Sequence, residues 1–179
     1  NLGQMTDLQG NPIPNVLFKA EAEGINIWVT ESGLTIQTFN VRKNPISDNE
    51  ISEYNKSEFR NNGKLKTNKF IDWERIDLNL KGATIKKENI IKKNARNTEY
   101  NFFLAHCKEG IYGVKEYGEI IIKNVYPNID WVIYRNKNNE IKYDFIVNIG
   151  GNYLDIELIY HSKEPIKINK LGQIEFYTD

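Results

Sequence analysis

The sequence predicts an all-β protein of the antiparallel β-sandwich type, and three observations lead to this fold class. Short runs in which apolar and polar residues alternate recur along the chain, as at 25–30 and 76–80, and this two-residue period is typical of half-buried strands. Turns that contain glycine, asparagine or proline separate these runs at close spacing. Only one segment has a helical composition, so about ten or eleven short strands are expected, the pattern of a sandwich or barrel.

The predicted strands form three hairpins joined by single strands. An irregular lead-in covers residues 1–15, and a first strand begins at Val16. The first hairpin spans 25–39 and turns at Gly33, a residue that tolerates a positive φ angle. The remaining strands are predicted at 70–80, 100–105, 117–123, 125–147 (the second hairpin), 153–160, and 166–169 with 173–177 (the third hairpin).

We expect a single β-rich domain over residues 1–179, because a chain of this length can bury a core of ordinary size. Similar hairpins at 27–38 and 166–178 leave open an arrangement of two packed or duplicated sandwich halves, at 16–82 and 98–179.

Two segments interrupt the strand pattern. Residues 40–69 are rich in Asn, Lys, Ser and Glu, and this composition predicts a long variable surface loop. Residues 86–96 are mostly charged or polar, and their apolar members are Ile90, Ile91 and Ala95. Because so few apolar residues cannot bury a broad helix face, this segment is predicted to be at most one short helix or a charged loop.

Composition and charge exclude several classes of function. The chain carries 24 basic and 24 acidic residues, and this neutral balance makes nucleic acid an unexpected partner. The single cysteine, Cys107, excludes internal disulfides and cysteine-rich metal sites. The motifs of phosphate loops, zinc hydrolases, serine hydrolases and calcium loops are all missing from the sequence. We therefore expect no cofactor and no metal, and the lack of a long apolar run predicts no transmembrane segment.

The hairpin at 125–147 is the most specific segment of the sequence. If Arg135 pairs with Glu140 across a four-residue turn, the two-residue period of a strand assigns each side chain to one face. The predicted core face carries Val132, Tyr134, Ile141, Tyr143 and Phe145, with Asp130 at its end. The opposite face carries Trp131, Ile133, Arg135, Lys142, Asp144 and Ile146.

This hairpin also supplies the candidate ligand-binding residues, which are Tyr126, Asp130, Trp131, Tyr134 and Asp144. Aromatic rings stack on the apolar face of a sugar, so the three aromatic residues of this set, with Tyr143, form a possible glycan platform. The alternative is that these aromatic residues fill the core. Asp130 has two interpretations, a general acid or ligand contact and, as the favoured one, a cap for backbone N–H groups near 126–128.

No catalytic residue is predicted. His106 and Cys107 are neighbours on a strand, so their side chains point to opposite faces and cannot form a thiol–imidazole pair without a kink. His161 is an alternative base for the thiol, although a free cysteine is most often a small buried hydrophobic residue. A carbohydrate-active enzyme stays open as an alternative, because glycosidases need only two carboxylates; the candidates are Asp130, Asp144, Asp155 and Glu157.

Several segments of the chain resemble a known family. The opening NLGQ, the stretch YNFFLAHCKEGIYGVKEYGEIIIKNVYPNIDWVIY and the later EIKYDFIVNIGG are similar to an uncharacterised N-terminal domain of large secreted Bacteroidota proteins. Some of those proteins carry SBBP β-propeller repeats, and others carry PKD-like modules and a type IX secretion sorting tail. The YPxID motif at residues 126–130 and the KYDF motif at residues 142–145 are the most specific parts of the resemblance.

The resemblance implies an extracellular or cell-surface module at the start of a longer secreted polypeptide, from which the signal peptide has been removed. We expect a non-catalytic module related to binding or adhesion, with a glycan, a surface protein or other domains of the same polypeptide as partners. Two alternatives remain at this point. One is the carbohydrate-active enzyme with a carboxylate pair, and the other is a structural spacer without a ligand.

Overall fold

A computed structural model describes residues 1–7, 9–45 and 67–176 and confirms the predicted all-β, antiparallel fold class. The described residues form eleven strands and two 3₁₀ turns and contain no α-helix. The strands are β1 (Val16–Ala22), β2 (Ile25–Thr30), β3 (Gly33–Pro45), β4 (Thr67–Leu80), β5 (Ile90–Leu104), β6 (Cys107–Tyr126), β7 (Ile129–Arg135), β8 (Ile141–Val147), β9 (Leu158–Ser162), β10 (Ile166–Ile168) and β11 (Ile174–Phe176). The 3₁₀ turns are Lys87–Asn89 and Tyr153–Asp155.

Two main sheets contain nine of these strands. The first sheet has the order β1-β2-β3-β4-β9, the second has the order β5-β6-β7-β8, and β10 pairs with β11. The first and third predicted hairpins are confirmed by the β2–β3 and β10–β11 pairs. Strand β9 comes late in the chain but pairs with β4, so the first sheet draws on both predicted halves. The division at 16–82 and 98–179 stays a prediction.

The two main sheets share one hydrophobic core. Alternate residues of the strands that line the core point inward, so the two main sheets present apolar sides to each other. Burial of each such aliphatic side chain stabilises the fold by about 1.5–3 kcal/mol. The first sheet contributes Leu17, Ile27, Val29, Leu34, Leu78 and Leu80, and the second sheet contributes Ile120, Ile122, Ile129, Trp131 and Ile133.

The β7–β8 hairpin corrects the predicted register by one residue. Arg135 pairs with Ile141, not with Glu140. The Asn136 N–H donates to the Glu140 carbonyl at 2.9 Å, and Asn139 takes a φ of 65°. The turn therefore contains one residue more than the predicted pairing allows, and such a bulge shifts the register.

This shift exchanges the two faces of β7, because a slip of one residue turns every side chain over. Trp131 and Ile133 lie on the core face, whereas Val132 and Tyr134 point outward, which reverses the prediction. The predicted face of β8 is correct. Its inward residues are Ile141, Tyr143 and Phe145.

The charged segment at 86–96 is not a helix but a 3₁₀ turn followed by the edge strand β5. The side chains at 91–101 are all exposed, so this strand needs no apolar face. Ion pairs tie it to β6, with Lys93 3.1 Å from Glu119 and Glu99 3.0 Å from Lys115. A charged composition is typical of an exposed edge strand, because charges discourage pairing with other chains.

Strand boundaries differ from the prediction at three other places. Both ends of the loop predicted at 40–69 are strand in the structure, because β3 runs to Pro45 and β4 starts at Thr67. The middle of the predicted loop, residues 46–66, lies outside the described residues. Residues 107–114, predicted as a connection, begin β6. The strand predicted at 153–160 starts with a 3₁₀ turn, and β9 begins only at Leu158. Residue 177, the predicted end of the third hairpin, is also outside the described residues.

Candidate functional site

The outward side of the five-stranded sheet, called here the outer face, brings together side chains from distant parts of the sequence. Cross-strand pairing places one residue of each strand in a single row. Residues directly opposite each other on neighbouring strands lie on the same face and touch or nearly touch. From edge to edge, the row is Lys19, Trp28, Thr35, Asp77 and His161.

Aromatic rings on the outer face are accessible to a ligand. Phe39 on β3 and Trp73 on β4 are direct cross-strand partners, and they are 37% and 58% exposed. Trp28 is half-buried, and the Lys19 ammonium lies 5.6 Å from the centre of its ring. The outer face therefore presents one open aromatic pair and one tryptophan that is partly covered by a cation.

Fixed polar groups lie between these aromatic residues. The Asp77 carboxylate accepts a hydrogen bond of 2.6 Å from the Thr35 hydroxyl. It also accepts two bonds of 3.0 Å from the Arg75 guanidinium, one from Nε and one from Nη2. This two-pronged geometry holds both side chains in one orientation. The remaining N–H groups of Arg75 and the hydroxyl of Thr35 thus have defined positions on the face.

A cleft opens where β9 ends beside β4. Ser162, the last residue of β9, lies opposite Ile76, whereas β4 continues in the other direction as far as Thr67. The cleft has a volume of about 520 Å³, a size within the usual range for ligand sites. Its lining consists of Trp73, Glu74, Arg75, Asp77, His161, Ser162 and Lys163.

Two of the five predicted ligand-binding residues lie in the core. Trp131 is 0% exposed, and its ring stacks on Phe145 with 6.2 Å between the ring centres. Tyr126 is buried as well, and this burial raises the pKa of its hydroxyl group. Tyr143 is the fourth member of the predicted aromatic platform, and its hydroxyl oxygen lies 3.4 Å from the hydroxyl oxygen of Tyr160. The rings of Trp131 and Tyr126 are therefore buried between the sheets, and that of Tyr143 is partly buried against the same core.

The other three predicted residues point outward from the second sheet. Tyr134 and Asp144 lie near each other, and the hydrogen bond and charge of the carboxylate raise the pKa of the Tyr134 hydroxyl. Asp130 shares this side of the sheet but is covered by neighbouring side chains. The structure thus places the five residues in two groups on opposite faces of the second sheet. Ligand binding by the outward group stays a prediction.

Asp130 is held by three hydrogen-bond donors. Its carboxylate accepts from the Lys123 ammonium, from the Asn124 backbone N–H at 2.9 Å and from the Asn148 amide at 3.2 Å. Burial by itself would raise the pKa of Asp130, but these donors outweigh burial and hold the pKa below its usual value. The backbone N–H that Asp130 caps is that of Asn124, before the 126–128 segment for which the cap was predicted, and a ligand contact by Asp130 stays a prediction.

The remaining predicted carboxylates have separate partners. Asp155 accepts a bond of 3.0 Å from the Asn152 amide, and Glu157 forms an ion pair of 2.7 Å with Lys81. Neither these two nor Asp130 and Asp144 line the cleft.

His106 and Cys107 also have separate partners. The prediction placed both on one strand, but His106 lies in the turn between β5 and β6, and Cys107 is the first residue of β6. The His106 ring nitrogen Nε2 lies 2.9 Å from the Gly3 carbonyl, and the Cys107 thiol donates to the Gly110 carbonyl at 3.5 Å. Within the described ranges, no group of three or more His, Cys, Asp or Glu side chains could hold a metal ion. None of the helical turns described there is long and apolar enough to cross a membrane.

One comparison with known proteins assigns the chain to a family. The sequence model of a domain of unknown function, DUF7948, matches residues 1–179. The chain belongs to the DUF7948 family. The DUF7948 match spans both sheets, the outer face and the 125–147 hairpin. No curated protein and no solved structure matches the chain.

Proposed function

We propose that this DUF7948 domain is a non-catalytic binding module that recognises a glycan on the outer face of its five-stranded sheet. The observation that carries the proposal is the exposed Phe39–Trp73 pair beside the fixed Asp77–Arg75 pair. Sugars present an apolar ring face and a rim of hydroxyl groups. An aromatic ring next to oriented donors and acceptors matches both of these features.

The arrangement of polar groups favours binding over catalysis. Asp77 is the carboxylate at the centre of the outer face, and its oxygens already accept hydrogen bonds from Thr35 and Arg75. A glycosidase needs a second carboxylate that works with the first across the scissile bond. The four carboxylates considered as candidates lie away from the cleft, and Glu74, which does line it, comes from the opposite side of β4 to Asp77. We therefore propose no catalytic residue.

We further propose that the domain acts outside the cell or at the cell surface, as part of a longer secreted polypeptide. This part of the proposal is supported by the resemblance of the YPxID and KYDF segments to the N-terminal domain of secreted Bacteroidota proteins. A domain that relies on its hydrophobic core needs no disulfides in such a setting. Glycans are abundant ligands there, which is consistent with recognition by the outer face.

A glycan array followed by titration calorimetry tests the proposal. Replacement of Trp73 by alanine is expected to weaken binding of the selected glycan about fivefold or more, because a stacked ring contributes roughly 1 kcal/mol or more. Phe103 is the matched control, since it is 73% exposed but lies on β5 in the other sheet. Its replacement by alanine should leave the affinity unchanged.

Two results would reject the glycan proposal. Equal loss of affinity in both variants would remove the outer face from consideration. A complete lack of binding across the array would favour the structural spacer, the alternative in which the domain has no ligand.

A further inference from the structure

The register of the strands arranges the outer face in rows of side chains. The first row is the one that runs from Lys19 to His161. The second row lies two residues away along each strand and consists of Glu21, Asn26, Gln37 and Arg75. The third row is the Phe39–Trp73 pair. A row of polar side chains therefore separates this open aromatic pair from Trp28.

Two tryptophans lie at the ends of one diagonal across these rows. Trp28 is on β2 in the first row, Gln37 is on β3 in the second, and Trp73 is on β4 in the third. Each step thus crosses one strand and one row. Diagonal neighbours on one face are about 7–8 Å apart, so roughly 15 Å separates the two tryptophans. A ligand that contacts both of them must be an extended molecule.

The middle of the diagonal offers a polar side chain that is free to bind. The Gln37 amide is half-buried and has no hydrogen-bond partner among the described residues. An amide donates through two N–H bonds and accepts through its carbonyl oxygen, and a hydroxyl group both donates and accepts. Arg75, next to Gln37 in the row, is held by its bonds to Asp77. The Gln37 amide is therefore suited to the hydroxyl rim of a sugar chain that passes over it.

The charges on this part of the outer face are balanced. Each Lys, Arg, Asp and Glu side chain in the described rows is in an ion pair with an opposite charge. The pairs are Lys19–Glu21, Arg75–Asp77 and, just beyond the end of β9, Lys163–Glu164. Because neither sign is in excess, charge complementarity favours a neutral ligand over an anionic or cationic one.

We propose that the outer face binds a neutral, linear oligosaccharide that lies along the diagonal from Trp73 to Trp28. The inference rests on the proposed glycan function and adds the length, the direction and the charge of the ligand. One sugar ring stacks on the open Phe39–Trp73 pair, and the Gln37 amide bonds to hydroxyl groups further along the chain. A later ring of the same chain reaches Trp28.

The Trp28 end is the weaker of the two. Trp28 is half-buried, and the Lys19 ammonium beside it covers part of the ring. The N–H groups of this ammonium are donors for a hydroxyl of the last sugar ring. A short oligosaccharide is therefore expected at the Phe39–Trp73 pair, and only a longer chain gains the contacts at Trp28.

Titration calorimetry with chains of increasing length provides the first test. The probes are linear chains of glucose, xylose, mannose or N-acetylglucosamine, from the monosaccharide to the hexasaccharide, with oligogalacturonates of the same lengths as acidic comparators. Affinity for the best neutral chain should rise about tenfold between the disaccharide and the pentasaccharide and then level off, because the longer chain adds the Gln37 and Trp28 contacts. Added salt should change this affinity by less than about twofold.

Substitutions on and off the diagonal provide the second test. Trp28→Ala should weaken binding of the pentasaccharide about fivefold and leave the disaccharide affinity within about twofold of wild type, whereas Trp73→Ala should weaken both. His161→Ala is the matched control, because His161 lies on the outer face but off the diagonal, and it should weaken neither. A general loss of structure would weaken both lengths alike, so the difference between lengths reports the contact with Trp28.

Urea unfolding checks that each variant folds. If Trp28→Ala does not fold, Trp28→Leu takes its place with the same expectation, because leucine keeps an apolar side chain at this half-buried position and removes the aromatic ring.

Three results would overturn the inference. They are an affinity that does not rise beyond the disaccharide, tighter binding of the oligogalacturonates than of every neutral chain, and a length-selective loss in His161→Ala instead of Trp28→Ala, which would direct the chain into the cleft. In each case, loss of binding in Trp73→Ala leaves the glycan proposal standing. If no neutral chain binds, the inference fails, whereas the glycan proposal fails only if the glycan array is empty as well.

Discussion

Removal of the Asp130 carboxylate is expected to destabilise the domain more than any exposed charge does. Asp130 is 2% exposed, and its three hydrogen-bond donors come from β6 and from the segment after β8. It therefore connects three parts of the second sheet that are separate in sequence. Asp130→Ala leaves these donors without their acceptor.

The expected loss of unfolding free energy depends on whether each donor can find another acceptor once the carboxylate is removed. The Asn124 N–H is fixed in the backbone, and loss of its acceptor costs about 1–3 kcal/mol. The Lys123 side chain is 43% exposed and can regain water, so its share is about 1 kcal/mol or less. Asn148 is exposed and adds little. We expect Asp130→Ala to lower the free energy of unfolding by about 3 kcal/mol at neutral pH.

The same carboxylate gives the stability a defined pH dependence. Its pKa is lower in the folded protein than the value of about 3.9 expected in the unfolded chain. The charged form therefore stabilises the fold fully above about pH 5, and this contribution is lost as the pH falls through the folded pKa. Asp130→Asn cannot titrate at this position, so the gap in unfolding free energy between wild type and this variant should narrow on acidification.

Urea unfolding of wild type, Asp130→Ala and Asp130→Asn between neutral pH and pH 2 measures both effects. Glu157→Gln is the matched control, because Glu157 forms an exposed ion pair with Lys81 and its loss should change stability by about 0.5 kcal/mol or less. The reasoning is refuted if Asp130→Ala is no more destabilised than this control, or if the gap to Asp130→Asn widens in acid.

Two further predictions concern the backbone and the core. Gly33→Ala should lower the unfolding free energy by about 3 kcal/mol, because its φ is 146° and a Cβ there would lie 2.0 Å from the Leu78 carbonyl oxygen. Gly82 has a φ of 73° and open space around the position of a Cβ, so Gly82→Ala should lower the unfolding free energy by only about 1 kcal/mol. Equal stability of the Gly33→Ala and Gly82→Ala variants in calorimetric melting would contradict this order. Trp131→Ala should lower the unfolding free energy by about 4 kcal/mol, because it leaves a cavity in the core. Trp73→Ala should change the unfolding free energy, measured with urea, by about 0.5 kcal/mol or less. Similar losses of unfolding free energy in the two variants would contradict the assignment of Trp131 to the core and Trp73 to the surface.

The fold class could be predicted from the sequence because alternation is a local property. Ile27 and Val29 alternate with Trp28, and Ile76 and Leu78 alternate with Asp77, so each strand shows its period without knowledge of its partner. Strand order could not be predicted in the same way. The pairing of β9 with β4 joins residues more than seventy positions apart, and no local pattern indicates it.

The register of the 125–147 hairpin depended on a single residue. The sequence between Arg135 and Ile141 is compatible either with a four-residue turn or with a turn that contains a bulge. Both turns contain the same asparagine residues, so the composition does not choose between them. The positive φ of Asn139 selects the bulge, which is compatible with asparagine but not required by it. One residue of shift moved Trp131 from a predicted surface to the core, and Tyr134, which was assigned to the core face, points outward.

The outer face was within reach of sequence reasoning but was not recognised. The alternation that buries Ile76 also predicts that Trp73 and Asp77 point outward, and Trp28 lies between two buried residues in the same way. What could not be predicted is that Phe39 stands opposite Trp73, because this pair depends on how β3 and β4 align across residues 46–66. A surface site on a sheet requires the register of several strands at once.

The placement of the proposed ligand site on the first sheet is consistent with how the two sheets use their faces. In β7 the residues from Ile129 to Ile133 are all buried, because one side meets the core and the other is covered around Asp130. A strand buried on both sides has few side chains that can change without loss of stability. In β4, Ile76, Leu78 and Leu80 are buried, whereas Trp73 and Arg75 on the other side of the strand are exposed, so these two side chains can change with little effect on the core. We therefore place the proposed binding function where β4 is exposed, and we expect the 125–147 hairpin to specify the fold.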